Sequence, residues 1–136
     1  MKTIEETEAE IIEEFAVFED PMDRYDYLID LGKELPELSE EYKTDFFLVK
    51  GCQSKVWIVP QRRDGKIFFS ADSNTAITKG IVSLLIRVLS GRLPQEIQES
   101  KLDFIDKIQL RSHLSSQRSN GLTGMIQLIK SYASEG

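Results

Sequence analysis

Phe46-Phe47-Leu48-Val49-Lys50-Gly51-Cys52-Gln53-Ser54-Lys55-Val56-Trp57-Ile58-Val59, with Asp64-Gly65 and Ile67-Phe68-Phe69-Ser70 beyond it, decides the fold class. Phe46 to Val49 is a short apolar run of the strand type, and Val56 to Val59 is rich in β-branched and aromatic residues. Gly51-Cys52-Gln53-Ser54 interrupts the two runs and reads as a loop. Asp64-Gly65 is a tight-turn signal, because both central positions of a type I′ turn need positive φ. Ile67 to Ser70 is then the returning strand. The prediction is a small three-stranded antiparallel sheet with Cys52 in the loop between its first two strands.

Helical periodicity flanks this region. Ile4, Ile11, Ile12, Phe15 and Phe18 fall on one side of a helix expected over 4–18. Asp20 caps a second helix with Pro21 in its first turn, where the missing N–H costs nothing. Its buried stripe is Met22, Tyr25, Leu28, Ile29, Leu31 and Leu35, and Pro36 helps to end it. After the strands, Asp72-Ser73-Asn74 offers caps for a long helix with an apolar face of Ile77, Ile81, Leu84, Leu85 and Val88. Gly91 is its natural stop. A short helix is expected near Pro94, another over 103–110, and a last one over 120–132 that buries Leu122, Met125, Ile126 and Ile129. Helices, then strands, then helices imply an α+β fold with helices packed on one face of the sheet. No linker or repeat divides the chain, so residues 1–136 form one domain.

Composition narrows the function. The chain has 136 residues, 40% of them hydrophobic, with seven Phe and four Tyr. A chain of this size buries roughly two-thirds of the surface that it exposes when unfolded. The net charge of -6 argues against a nucleic-acid partner, which needs a concentrated basic surface. The acidic excess at Glu5, Glu6, Glu8, Glu10, Glu13 and Glu14 reads as a solvated helix face; docking onto a basic partner is the sharper alternative. One cysteine allows no internal disulfide and no cysteine-based metal site within one chain. A single thiol fits a reducing compartment. No apolar run is long enough to span a membrane, and the acidic N-terminus is unlike a targeting peptide. The expectation is a soluble cytoplasmic protein.

Cys52 is the residue to weigh. Most free cysteines are small buried hydrophobes. Here Gly51, Gln53 and Ser54 surround the thiol and strands flank the group, which puts it at a loop tip on a rigid frame, where functional groups tend to sit. Lys50 and Lys55 are close in sequence and favour thiolate. His113, the sole histidine, allows a Cys–His nucleophile pair in principle. Its place between Ser112 and Leu114 reads better as a surface or capping histidine. Arg118, in the segment 115–121 before the last helix, reads either as a solvent-facing loop residue or as an anion or thiolate contact.

Val49-Lys50-Gly51-Cys52-Gln53-Ser54-Lys55-Val56-Trp57 resembles the Gly-Cys-Gln-Ser-x-Val-Trp signature of the SufE family. Three further segments agree in order. Leu31-Gly32-Lys33-Glu34-Leu35-Pro36 resembles the family's Leu-Gly-x-x-Leu-Pro. Asp72-Ser73-Asn74-Thr75-Ala76-Ile77-Thr78-Lys79-Gly80 resembles Asp-Ser-x-x-Ala-x-x-x-Gly. His113-Leu114 with Arg118-Ser119-Asn120-Gly121-Leu122 and Met125-Ile126 resembles the C-terminal segment, Asn120 standing where the family usually has Gln. The resemblance implies the α+β fold shared with IscU-type scaffolds. It implies that Cys52 accepts sulfur from a pyridoxal-phosphate cysteine desulfurase of the SufS or CsdA kind, speeds that enzyme's turnover, and passes the sulfur to an iron–sulfur scaffold such as a SufBCD-like complex. The pyridoxal phosphate belongs to the partner, so no cofactor is expected on this chain. Gly51, Gln53, Asp72 and Arg118 take supporting or docking roles. A homodimer is compatible with the sequence.

Three other readings are weighed against this one. A cluster-assembling scaffold needs several cysteine ligands. A cysteine-dependent hydrolase or redox enzyme needs an activating base, and His113 is its one histidine candidate. A contact-only adaptor would stimulate the desulfurase without using Cys52.

Overall fold

A computed structural model of the chain describes residues 2–51, 54–108 and 116–134, the side chains of residues 116–120 excepted. Helix α1 spans Ile4–Ala16 and starts on a capping box: Thr3 Oγ1 accepts the Glu6 N–H at 3.1 Å, and a Glu6 carboxylate oxygen accepts the Thr3 N–H at 3.1 Å. It ends two residues short of the expected Phe18, whose ring instead packs on Tyr27 with centroids 5.0 Å apart. Helix α2 spans Pro21–Lys33, and Asp20 caps it as expected by accepting the Met22 N–H at 2.9 Å. Leu28 is buried with Gly32, while Tyr25, Ile29, Leu31 and Leu35 are half-buried against the core. Met22 departs from the expected stripe and is 65% exposed.

Strands β1 (Val56–Arg63) and β2 (Lys66–Ser73) pair antiparallel around the Asp64-Gly65 turn, where φ is +54° and +80°. Both turn residues therefore adopt the positive φ that the type I′ reading requires. Val56, Ile58, Ile67, Phe69 and Ala71 point into the core. The sheet has two strands among the described residues. The third expected strand is instead a turn of 3-10 helix, Asp45–Phe47, followed by one bridge, Leu48 to Trp57. The Val49 N–H donates to the Val56 carbonyl at 2.8 Å, so the polar groups of Val56 face this edge. By period two, those of Ile58 and Pro60 face it as well. Pro60 has no N–H to give, and the Ile58 carbonyl is taken by the Tyr132 hydroxyl at 2.9 Å. Pairing therefore stops after two residues, and Phe46, expected in a strand, is 81% exposed.

Helix α3 (Ala76–Leu89) lies on the sheet and against α2, with Ile77, Ile81, Leu84, Leu85 and Val88 buried as expected. Its N-cap is Thr75 rather than Asp72, Ser73 or Asn74, because β2 runs on through Ser73. Gly91, at φ +79°, follows its end. Helix α4 spans Pro94–Glu99, and α5 is the short Phe104–Lys107 within the expected 103–110. Helix α6, Ser116–Ser134, begins four residues earlier than expected and buries Leu122, Met125 and Ile129, with Ile126 half-buried. It covers the outer edge of β1. At the far side of the molecule the buried Arg92 holds α1 in place, donating to the Val88 carbonyl at 3.0 Å, to Thr7 Oγ1 at 3.2 Å and to the Lys2 carbonyl. Arg92→Met keeps the volume but leaves those acceptors unpaired. We expect it to cost about 1–3 kcal/mol, and chemical denaturation measures that loss as a lower midpoint.

Candidate functional site

The turn that begins at Lys50 and Gly51 follows the Val49–Val56 hydrogen bond at the open end of the β1–β2 ladder. Cys52 and Gln53 themselves lie outside the described residues, as does His113. Arg118 lies in the first two turns of α6 rather than in a preceding loop, and its side chain is outside the described ones. Gly51 is described, with φ +82° and open space where a Cβ would be, so its demand for glycine is conformational and not steric.

Each side of the turn is anchored to a different helix. On the N-terminal side Val49 is buried, and the Lys50 carbonyl rests on α6 at Gly124. A Cβ at Gly124 would fall 2.4 Å from that carbonyl oxygen and 3.2 Å from Val49 Cγ1. Only glycine lets α6 approach this closely. Gly124→Ala is expected to displace the Lys50 backbone, immediately before Cys52 in sequence, and to cost about 1–3 kcal/mol of stability. Chemical denaturation reads that loss as a lower midpoint.

On the C-terminal side, Asn74 brackets Lys55. Its Oδ1 accepts the Lys55 N–H at 3.0 Å, and its own N–H donates to the Lys55 carbonyl at 3.1 Å. Ser54 Oγ sits in a triangle of hydroxyls with Thr75 Oγ1 at 3.0 Å and Thr78 Oγ1 at 3.4 Å, the two threonines being 2.8 Å apart. Sequence reading had no signal for this cluster beyond the run of small hydroxyl residues after Asp72.

Asp72 stands across the ladder from Trp57 and is only 7% exposed. Its Oδ1 accepts the Ser73 N–H at 2.8 Å and faces Lys79 Nζ at 3.4 Å, while Oδ2 faces Lys43 Nζ at 3.3 Å. Lys43 also reaches Glu40 at 3.0 Å and lies over the Trp57 ring, 5.8 Å from its centroid. Burial pushes the Asp72 carboxyl up, but the Ser73 N–H and the two ammonium groups outweigh it and hold it below the usual carboxylate range. The structure therefore gives Asp72 a tie between β2, α3 and the segment before the turn. A depressed folded value means the contribution is complete above the ordinary carboxylate range and lost as pH falls through the folded value. Asp72→Asn should thus lower Tm at neutral pH, with the gap from wild type closing in acid. Thermal melts across pH show it.

Beside the turn, Asp45, Phe46, Leu48, Lys50, Gln127 and Leu128 line an open groove of about 500 Å³. Among the described residues no group of three or more His, Cys, Asp or Glu could hold a metal ion, and no helix is long and apolar enough to cross a membrane.

Comparison with known proteins agrees with this architecture. Residues 9–133 match the family model SufE, described as an Fe-S metabolism associated domain. An uncharacterized SufE-like protein of Rhizobium meliloti (strain 1021) is 42% identical over 129 residues, covering 91% of this chain and 92% of that protein. An uncharacterized SufE-like protein of Synechocystis is 38% identical over 125 residues, covering 92% of this chain and 79% of that one. The solution structure of a hypothetical protein from Thermus thermophilus superposes with a TM-score of 0.77 at 17% identity, covering 95% of this chain and 94% of that one, which supports the fold alone. With a family match over nearly its whole length and relatives at about this identity, the chain belongs to the SufE family of the iron–sulfur metabolism domains.

Proposed function

We propose that this protein accepts sulfur on Cys52 from a pyridoxal-phosphate cysteine desulfurase and passes it on for iron–sulfur cluster assembly. One observation carries the reading: in a SufE-family chain, the residues on either side of Cys52 and Gln53 are held at the end of the ladder, Lys50 against α6 and Ser54 against α3. A thiol carried between two such anchors can be presented to another protein without disturbing the core.

The chemistry is a thiol exchange. The Cys52 thiolate attacks the outer sulfur of the desulfurase's cysteine persulfide. A sulfur–sulfur bond forms to Cys52, the donor's sulfur–sulfur bond breaks, and the electron pair leaves with the donor cysteine as its thiolate. The outer sulfur keeps its proton, so no oxidant or reductant is consumed. The donor thiolate is then free to take the next sulfur, which is why acceptance speeds the desulfurase. Thiolate and not thiol is the nucleophile, and Lys50 and Lys55 supply positive charge on either side of the turn. Gly51 supplies its left-handed bend. Gln53 and Arg118 are assigned to the docking surface, and the buried Asp72 takes a supporting role behind it. The pyridoxal phosphate stays on the partner, and the sulfur's recipient is a scaffold of the SufBCD-like kind.

Alanine release by a cognate desulfurase acting on L-cysteine tests the reading. Adding this protein should raise the rate several-fold and saturably. An unchanged rate with a desulfurase shown to be active would contradict it.

A further inference from the structure

The N-cap of α3 breaks a local rule. A threonine at this position ordinarily turns its hydroxyl inward to accept an N–H of the first helical turn. Thr75 makes no such bond, and its hydroxyl points instead at Ser54 and Thr78. Thr78, one turn into the helix, is 3% exposed, a place where valine would fill the same volume without a polar atom. Two hydroxyls of α3 are thus committed to Ser54, one by forgoing a cap and one by entering the core. Neither commitment is needed to build the helix, whose packing rests on Ile77, Ile81, Leu84, Leu85 and Val88.

The tie they make has a particular place. Ser54 is the first described residue after Cys52 and Gln53. The next anchors outward are the Asn74 bracket on Lys55, half side chain and half backbone, and the backbone Val49–Val56 bond. Among the described residues the hydroxyl triangle is therefore the contact nearest Cys52 in sequence on its C-terminal side, and it fixes that side to the helix most firmly seated on the sheet. Side-chain hydroxyls reach Ser54 where the ladder no longer can.

We propose that Ser54, Thr75 and Thr78 are positioning residues for sulfur transfer at Cys52, their hydroxyl triangle fixing the turn to the start of α3 so that the thiolate meets the donor persulfide in line. The proposal rests on the sulfur-acceptor reading. It predicts a loss in the chemical step and not in docking, because Ser54 and Thr75 are half-buried and Thr78 is buried, which draws the triangle back from the surface.

The experiment is single-turnover transfer from a persulfide-loaded cysteine desulfurase to this protein, at increasing acceptor concentration. Ser54→Ala should slow the limiting rate by about three- to tenfold, as loss of one or two neutral hydrogen bonds implies. The concentration at half-maximal rate should stay as in wild type. Thr75→Val should do the same, and Ser54→Thr, which restores a hydroxyl, should recover most of the rate. Thermal melts identify any variant that has lost its fold; Thr75→Val then stands in for Ser54→Ala, or the reverse. Wild-type transfer with an undiminished limiting rate in both variants would overturn the positioning role and leave the acceptor reading intact. A loss confined to the half-maximal concentration would overturn it too, by making the cluster a docking feature. No transfer even to wild type would bring down the acceptor reading and this proposal together.

Discussion

Gly80→Ala is expected to lower the melting temperature by on the order of 10 °C. Intrinsic propensity points the other way: alanine in a helix interior is better than glycine by about 1 kcal/mol. The helix crossing decides the sign. A Cβ on Gly80 would lie 2.2 Å from the Leu28 carbonyl oxygen, 2.9 Å from its carbon and 3.0 Å from Leu28 Cγ. The facing Gly32 is as tightly held, its Cβ falling 2.6 Å from the Gly80 nitrogen. These are backbone atoms and cannot rotate away, so α2 and α3 must separate. That separation loosens Leu28 and Ile81, both buried at the crossing. Overpacking of this kind costs about 1–3 kcal/mol, and the backbone clash puts Gly80 at the upper end. Gly32→Ala should act alike, and the double variant should lose less than the sum, because one separation relieves both clashes. A melt at or above the wild-type temperature would contradict the crossing geometry.

Cys52→Ala is expected to return a stimulated desulfurase to its own unassisted rate. On the proposed reading the Cys52 side chain takes the outer sulfur, so without it the donor persulfide waits for slower thiols. The substitution removes one sulfur atom and leaves the anchors at Lys50 and Ser54 in place, so fold and docking should persist. The variant should then compete with wild type for the desulfurase and suppress stimulation when in excess. A contact-only adaptor gives the opposite result, since Cys52→Ala would stimulate as well as wild type. The same assay separates the cysteine-hydrolase reading: His113→Ala should leave stimulation largely intact here and would abolish activity there.

Much of this was legible in the sequence because the signals were local. Asp20, Pro21 and Gly91 mark helix ends by rules that act within one turn, whereas the Thr3 cap went unread and α1 stops at Ala16 while its apolar pattern runs on to Phe18. Asp64-Gly65 fixed the hairpin by backbone conformation alone. The missing third strand shows where local reading fails. Phe46 to Val49 has strand composition, but its pairing is set by the edge it would join. That edge is closed by Pro60 and by Tyr132, a residue more than seventy positions away. The motif around Cys52 was readable from sequence, and the family it pointed to is the one that residues 9–133 match. The parts around it were not: Lys43 on Asp72, the hydroxyl triangle at Ser54 and the Gly124 contact all join segments distant in the chain. Gly32 and Gly80 stood out only as members of motifs, and their shared reason is a helix crossing that no single segment reveals.

The most direct test of sulfur acceptance is the intact mass of this protein after incubation with a cognate cysteine desulfurase and L-cysteine, taken without reductant. The expected result is a gain of one sulfur atom on the wild type, removed by reductant and absent from Cys52→Ala. An unchanged wild-type mass beside a desulfurase shown to be turning over would contradict the account at its centre.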